Sequence, residues 1–239
     1  MGGRKDINMG ILIAIDGVDS SGKETQAALV FKKLKDAGKK VRLISFPAYD
    51  SESSSLVKMY LGGKFGTQPN DVNAYAAASF YAVDRYATYK GDWGKDYENG
   101  TIIIADRYVP SNIIHQAVKL EECGTYKDDT AKSEFIKWVE DYEYNLLGLP
   151  RPDAVVFLDM PHEKALELMK ERANKIDNSD KKDIHERNTA YMRSCYDNAV
   201  YACDRCGWNH IMCVDENNNL KTIESINEEI MRIVNGKTD

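Results

Sequence analysis

The chain has 239 residues, of which 43% are hydrophobic, and a formal net charge of −6. This is enough apolar material for one large α/β domain or two small ones, and the negative charge argues against nucleic acid as the main partner. No apolar run approaches the ~20 residues that a membrane-spanning helix needs, and the first nine residues lack the apolar core of a signal peptide. We therefore expect a flexible tail over residues 1–9, no membrane partner and a cytoplasmic location.

Short apolar runs alternate with helical stretches along the rest of the chain. Runs rich in Val and Ile predict five strands, at about residues 10–16, 40–46, 101–106, 153–159 and 209–214. These runs are continuous rather than alternating, which is typical of strands buried on both faces of a parallel sheet. Helices are predicted at about residues 22–37, 52–62, 71–90, 111–121, 130–147, 161–172, 185–206 and 220–235. Asn70 and Asp71 are expected to cap the third helix and Ser111 the fourth.

Strands joined by helical crossovers predict an α/β fold with three layers, in which helices cover both faces of a five-stranded parallel sheet. We expect a single domain over residues 10–239. A polar segment at about residues 173–184, between two helices, has the composition of either a mobile flap or a solvated surface loop.

The first predicted strand leads into the sequence GVDSSGKET, residues 17–25. Gly17, Gly22 and Lys23 fill the pattern of a phosphate-binding loop, in the strand–loop–helix context that this motif requires. Glycines let backbone N–H groups turn toward phosphate oxygens, the helix N-terminus adds its dipole, and the lysine adds a charge. The motif predicts a P-loop NTPase fold and an ATP site formed by Gly17, Val18, Asp19, Ser20, Ser21, Gly22, Lys23, Glu24 and Thr25.

Glu24 stands where this motif normally has a hydroxyl that binds magnesium. A carboxylate beside a polyphosphate would repel it unless a cation lies between them. Glu24 is therefore either a direct or water-mediated ligand of Mg²⁺, or it turns outward and pairs with a lysine of the flap. The residues alone leave both interpretations open.

Asp106 and Arg107 close the third predicted strand, in the sequence DRYVPSNIIHQ at residues 106–116. The carboxylate is a natural magnesium partner in a phosphate-loop protein, and the arginine is expected to point into the same cleft. Four motifs occur in the order found in the thymidylate kinase family of nucleoside monophosphate kinases: the phosphate loop, FPAYD at 46–50, FYAVDR at 80–85 and this segment. The chain closely resembles this family from about residue 10 onward. The resemblance implies transfer of a phosphoryl group from ATP to thymidine 5′-monophosphate (dTMP), with Mg²⁺, for dTTP synthesis.

The resemblance also implies a role for individual residues. Asp19 resembles the acidic residue near the sugar 3′-hydroxyl and the metal, and Arg107 resembles the arginine that holds the acceptor phosphate and the transferred group. Tyr81 resembles the aromatic residue that stacks on thymine, and Arg85 the arginine that donates to a base carbonyl. The implied acceptor site consists of Asp19, Phe46, Pro47, Tyr49, Tyr81, Arg85, Arg107, Ser111, Asn112 and Gln116. Many relatives have an arginine where this chain has Tyr49, so Arg107 is expected to carry more of the phosphate recognition.

The segment 173–184 matches the family's lid in position and polarity. Arg172, Lys175, Lys181 and Lys182 are candidates to reach ATP, and Arg172 is favoured because its planar fork suits phosphate. The resulting catalytic set is Lys23, Arg107, Asp19 and Arg172, and the metal set is Asp19, Glu24 and Asp106. Since the acceptor phosphate is already an anion, we expect no strong general base, only positioning and charge stabilisation.

Two other functions remain open. A deoxynucleoside kinase would need a carboxylate base after the second strand, where Asp50 is the only candidate. A non-catalytic nucleotide-binding regulator is the second alternative, because Glu24 departs from the usual pattern of the phosphate loop.

The family resemblance further implies a homodimer. Cys203 and Cys206 form one C-x-x-C near His210, which is weak evidence for zinc, and we favour free thiols.

Overall fold

The computed structural model describes residues 9–122, 130–175, 184–185 and 188–238. Its five strands are β1 (Leu12–Gly17), β2 (Val41–Ser45), β3 (Ile102–Asp106), β4 (Ala154–Asp159) and β5 (Asn209–Met212). All neighbouring strands are parallel, and their order across the sheet is β2-β3-β1-β4-β5. The predicted α/β fold with a five-stranded parallel sheet is confirmed.

Successive residues of the central strands bury their side chains on opposite faces of the sheet. Leu12 and Ile103 contribute to the core on one side, and Ile13 and Ile104 contribute to the core on the other side. Because both faces must be apolar, the strands read as continuous hydrophobic runs rather than as alternating patterns.

Helices cover both faces. They are α1 (Lys23–Asp36), α2 (Ser55–Leu61), α3 (Ala74–Thr88), α4 (Gly94–Glu98), α5 (Val109–Gln116), α6 (Lys119–Glu122), α7 (Thr130–Glu140), α8 (His162–Lys175), α9 (Thr189–Cys206) and α10 (Ile223–Thr238). Helices α1 and α10 pack against one face, and α5 and α7 pack against the other. Within the described ranges, no helix has the length and apolar character that crossing a membrane would require.

Several predicted helix ends are wrong. Asn70 and Asp71 do not cap α3, because residues Pro69–Asp71 form a 3₁₀ turn and Asn73 is the cap, its Oδ1 accepting from the Ala76 amide at 2.9 Å. Ser111 does not cap a helix either, because α5 already begins at Val109 and the serine lies in its first turn.

Two π-helical turns extend predicted helices in a way that the sequence pattern did not show. The turn Tyr89–Trp93 carries α3 into α4, and the turn Asp141–Leu146 continues α7. A π turn inserts one extra residue into a helix, so it shifts which side chains face inward without changing the helical appearance of the sequence.

The predicted lid, 173–184, lies largely outside the described residues. Lys181 and Lys182 lie outside them, whereas Arg172 and Lys175 belong to the last turn of α8.

Candidate active site

The site forms where three strands end at the same edge of the sheet. Asp106 at the end of β3 pairs in register with Ile15 of β1 and with Ser45 of β2. The phosphate loop follows β1 directly, and the FPAYD segment follows β2. Ligands bind at this edge in open parallel α/β sheets, since the loops there can be shaped without disturbing the strands.

The two glycines of the phosphate loop are required for different reasons. A Cβ on Gly17 would lie 2.6 Å from Ser21 Oγ and 2.9 Å from the Leu158 carbonyl oxygen, so the loop folds back too tightly for any side chain. Gly22 has open space around it but a φ of 83°, which is the left-handed region. The next residue, Lys23, begins α1, and the first-turn amides of that helix therefore face the loop.

Lys23 lies inside this loop and is only 7% exposed. Its Nζ donates to the Val18 carbonyl at 3.0 Å and lies 3.8 Å from Asp19 Oδ1. Burial and the nearby Arg107 charge lower the pKa of Lys23 to about 8, in spite of the neighbouring carboxylates. The lysine is thus a buried, poorly compensated cation that an anionic ligand would stabilise.

Arg107 joins the phosphate loop to the neighbouring cavity. Its Nη2 donates to Asp19 Oδ1 at 2.5 Å, and its Nη1 lies 3.3 Å from His115 Nε2. Because a guanidinium only donates, Nε2 of His115 must accept and its proton sits on Nδ1. Burial would raise the pKa of Asp19, but the Arg107 and Lys23 charges outweigh it and hold that pKa well below its ordinary value. Burial lowers the pKa of His115 to about 3, so the imidazole is neutral at physiological pH.

Asp16 is a functional-site residue that the sequence interpretation missed. It is fully buried at the end of β1 and accepts hydrogen bonds from the Tyr108 amide at 3.2 Å and Ser111 Oγ at 2.7 Å. Burial raises its pKa above the ordinary value. Asp16 therefore ties β1 to the start of α5 and fixes the backbone that follows Arg107. A carboxylate ending a buried strand beside a phosphate loop was the available signal.

The three predicted metal ligands do not converge. No group of three metal-ligating side chains forms among the described residues. Asp19 is engaged by Arg107. Asp106 is different: its Oδ1 is buried and has no hydrogen-bond partner within the described ranges. Burial raises the pKa of Asp106, and the charge of the exposed Glu24 adds to that rise, so these two carboxylates lie within electrostatic reach of one another. An orphaned carboxylate oxygen with a second carboxylate nearby suits a divalent cation that takes its other ligands from phosphates and water.

A cavity with about 530 Å³ of empty space, part of it open to solvent, lies beside Arg107. All ten predicted acceptor residues line it, together with three that were not predicted, Leu61, His115 and His185. His115 and His185 stack with ring centroids 6.1 Å apart. His115 follows Ser111 by one helical turn in α5, which was a usable signal, whereas nothing local to the sequence pointed to His185.

Arg85 does not have the free charge that the sequence interpretation assumed. It is 1% exposed, and its Nε and Nη2 donate to Oε2 and Oε1 of Glu143 at 2.6 and 2.7 Å. This bidentate pair compensates the arginine inside the protein. Arg85 still lines the cavity, as part of a neutral pair rather than as a bare cation.

The loop after β2 is held against α3 by Asp84, another residue that the sequence interpretation did not single out. Its Oδ2 accepts from the Ala48 amide at 2.8 Å and its Oδ1 accepts from Ser53 Oγ at 2.5 Å. These bonds position Phe46, Pro47 and Tyr49 at the cavity.

Comparison with known proteins decides what kind of site this is. The model of the thymidylate kinase family matches residues 15–230, the greater part of the chain. The thymidylate kinase of Mycobacterium tuberculosis is 33% identical over 195 residues, which cover 80% of this chain and 84% of that protein. The chain belongs to the thymidylate kinase family. It is therefore an ATP-using phosphotransferase, and the family reaction converts dTMP and ATP to dTDP and ADP.

Further similarities agree with this family. The probable thymidylate kinase of Pyrococcus horikoshii is 28% identical over 163 residues, covering 68% of this chain and 71% of that protein. The structure of thymidylate kinase from Candida albicans superimposes with a TM-score of 0.67 at 22% identity, over 96% of this chain and 93% of that one. This likeness confirms the P-loop NTPase fold of the family.

Proposed function

We propose that this chain phosphorylates dTMP with ATP bound at the phosphate loop and dTMP bound in the cavity beside Arg107. The observation that carries the proposal is the shared contact at Asp19. This residue belongs to the phosphate loop, pairs with Arg107 at 2.5 Å and lies 3.8 Å from Lys23. Donor loop and acceptor cavity thus meet at one cluster of charges, which is where a phosphoryl group would pass between two nucleotides.

The chemistry needed from the protein is positioning and charge compensation. A monophosphate oxygen is already a nucleophilic anion at neutral pH, so Lys23 and Arg107 have the task of stabilising charge on the transferring group. Arg107 would use part of its guanidinium to bind the acceptor phosphate. The rest would stay paired with Asp19, which would hold the arginine in orientation. We assign Arg172, in the last turn of α8, to the ATP side, and segment 173–184 to a lid that excludes water when it closes.

Magnesium fits the carboxylates of Asp106, at the end of β3, and Glu24, at the start of α1. We propose that Asp106, with its unpartnered buried Oδ1, holds the ion directly or through water, and that Glu24 contributes from the start of α1. When bound, the ion would neutralise charge between the phosphates of ATP. Asp19 is the weakest of the three predicted ligands, because Arg107 already occupies it.

In the acceptor cavity, we assign Tyr81 to stacking on the base and Arg85 to donation toward a base carbonyl. Ser111, Asn112 and Gln116 complete the base side. Gln116 is 1% exposed and its buried Oε1 has no partner among the described residues, so it offers an acceptor to a bound molecule.

The deoxynucleoside kinase alternative finds no support. Its carboxylate base would be Asp50, but this exposed residue does not line the cavity with Arg107. It borders a neighbouring open groove with Thr88 and Gly91.

We also propose a homodimer, as the family resemblance implies, formed through α2 and α3. Apolar side chains that are roughly two-fifths exposed lie on these helices: Leu56, Met59, Tyr75, Val83 and Tyr86. We propose that these side chains form the interface, because contiguous exposed apolar patches mark association sites. Sedimentation velocity should show a dimer that Val83→Glu converts to a monomer; a monomeric parent would contradict the proposal.

A cytoplasmic location is consistent with the cysteines. The four in the described ranges, Cys195, Cys203, Cys206 and Cys213, are free thiols. Free thiols fit a reducing compartment.

A coupled assay of ATP consumption with a panel of nucleosides and nucleoside monophosphates tests the proposed function. We expect ADP release with dTMP and none with thymidine. ADP release with thymidine alone would favour the nucleoside kinase. If no member of the panel caused ADP release, a non-catalytic regulator would be favoured.

A further inference from the structure

Glu143 is a buried carboxylate behind the wall of the acceptor cavity, and it joins two residues of that wall. It is 0% exposed and lies in the π-helical turn Asp141–Leu146. Its Oε1 accepts from both Arg85 Nη2 and Asn112 Nδ2, each at 2.7 Å, and its Oε2 accepts from Arg85 Nε at 2.6 Å. π turns are frequent at functional sites, and here the turn aims a charged side chain inward.

The side-chain amide of Asn112 has only one possible orientation. Its Nδ2 donates to Glu143 Oε1 at 2.7 Å and to the Ala78 carbonyl at 3.0 Å, and both of these partners only accept. A flipped amide would direct its oxygen at two oxygens. With both amide protons committed, the atom that Asn112 can offer to a molecule in the cavity is Oδ1, an acceptor.

Arg85 stands beside this acceptor as a donor. Among the described residues, three of its five N–H groups are used, two by Glu143 and one by the Tyr108 carbonyl at 3.4 Å. Its Nη2 and Asn112 Nδ2 bind the same Glu143 oxygen, so the two side chains lie next to each other. The cavity therefore presents a donor and an acceptor side by side.

We propose that Glu143 is a positioning residue that sets which pyrimidine edge the cavity accepts. Thymine and uracil carry a carbonyl at position 4 and an N–H at position 3, which match the donor of Arg85 and the acceptor of Asn112. Cytosine carries an amino group and a bare nitrogen there, so both contacts are mismatched. This inference rests on the proposed function, because it assumes that the base of the acceptor nucleotide meets these two residues.

Glu143→Gln tests the role of the carboxylate with almost no change of shape. An amide has one oxygen and one NH₂, so one of the two acceptor positions becomes a donor. Facing Arg85 Nε, that NH₂ would displace the guanidinium; facing Asn112 Nδ2, it would oppose another donor and weaken the fixed orientation of the amide. In both cases residue 143 no longer fixes Arg85 as the donor and Asn112 as the acceptor in the cavity.

The readout is kcat/KM for thymidylate divided by kcat/KM for 5-methyldeoxycytidylate, two acceptors that differ only at positions 3 and 4 of the base. A purely structural defect lowers both values together and leaves the ratio unchanged. We expect the ratio to fall about tenfold or more in Glu143→Gln. Glu140→Gln is the matched control: Glu140 pairs with Arg151 at 3.4 Å near the surface, and its substitution should leave the ratio at the parent value.

An unchanged ratio in an active Glu143→Gln variant overturns the assignment and leaves the proposed function intact, whereas a parent that phosphorylates neither acceptor overturns both. If the variant does not fold, hydrogen exchange of the Asn112 side-chain amide in the parent decides the matter. The assignment requires that both Nδ2 protons stay protected with and without thymidylate. Fast exchange of either proton in the free enzyme, or its transfer to the nucleotide on binding, contradicts it.

Discussion

Replacing Lys23 with methionine should remove most phosphoryl transfer and leave the fold in place. The ammonium group is buried in the phosphate loop, 3.0 Å from the Val18 carbonyl and 3.8 Å from Asp19. Preorganised charges at this kind of position contribute about 3–4 kcal/mol to the transition state, so kcat should fall by about 10² to 10³.

The stability of the Lys23→Met variant should change little. Asp19 keeps its ion pair with Arg107, so the folded state loses one hydrogen bond to Val18 but also a poorly compensated buried charge. A net change of about 1 kcal/mol would move the melting temperature by about 2–4 °C in a chain of this size.

The assay is the initial rate of ADP formation with saturating ATP and dTMP, alongside a melting curve. Lys32→Met is the matched control, because Lys32 lies on the same helix with its side chain 71% exposed and pairs with Asp36 at 2.7 Å. We expect the control to keep parent activity. A Lys23→Met variant that turns over within a few fold of the parent would refute the role given to the phosphate loop.

Three other expected outcomes concern the same loop. Because the pKa of Lys23 lies at about 8 and only its protonated form carries charge, kcat/KM for ATP should fall as pH rises through about 8; a profile that stays flat to about pH 9.5 would contradict the role of the charge. Glu24→Ser should keep activity and shift the magnesium dependence of kcat, and an unchanged magnesium titration would favour a carboxylate that faces outward. Gly17→Ala should raise KM for ATP at least about tenfold and lower the melting temperature, because its Cβ would lie 2.6 Å from Ser21 Oγ. Gly236→Ala, with nothing within 4 Å of the added Cβ and a place in helix α10, should leave KM unchanged and should not lower the melting temperature. Equal effects of the two alanine substitutions would show that close packing at residue 17 does not matter.

Much of the fold followed from sequence because the same physical requirement acts along each strand. A parallel strand between two helical layers must be apolar on both sides, and runs such as residues 11–15 and 102–105 show this directly. Helix ends were less predictable. Asn70, Asp71 and Asn73 are all good caps by residue type, and the backbone of the preceding 3₁₀ turn decides among them.

Some residues of the candidate site could be predicted from the sequence and others could not. Ten of the residues that line the cavity lie in contiguous motifs, so resemblance could assign them one by one, whereas Leu61, His115 and His185 were missed. Residues that hold those side chains in place come from distant segments: Glu143 reaches Arg85 across 58 positions of the chain. No local pattern marks such a carboxylate, and the π turn that directs it inward looks like ordinary helix in the sequence.

This hidden partner changes the expected strength of base selection. An unpaired arginine facing cytosine would predict discrimination of at least ~100-fold. Because Glu143 compensates Arg85, a mismatched base leaves individual N–H groups unsatisfied rather than a bare charge, at about 1–3 kcal/mol each, or roughly 5- to 150-fold. Asn112 adds a second mismatch of the same kind.

The comparison of kcat/KM for thymidylate, deoxyuridylate and deoxycytidylate with the parent enzyme tests the central claim most directly. Thymidylate should be the preferred acceptor, deoxyuridylate should be used less well, and deoxycytidylate should be poor by at least about tenfold. Equal use of deoxycytidylate and thymidylate would contradict the roles given to Arg85 and Asn112, and with them the assignment of this cavity to thymidylate.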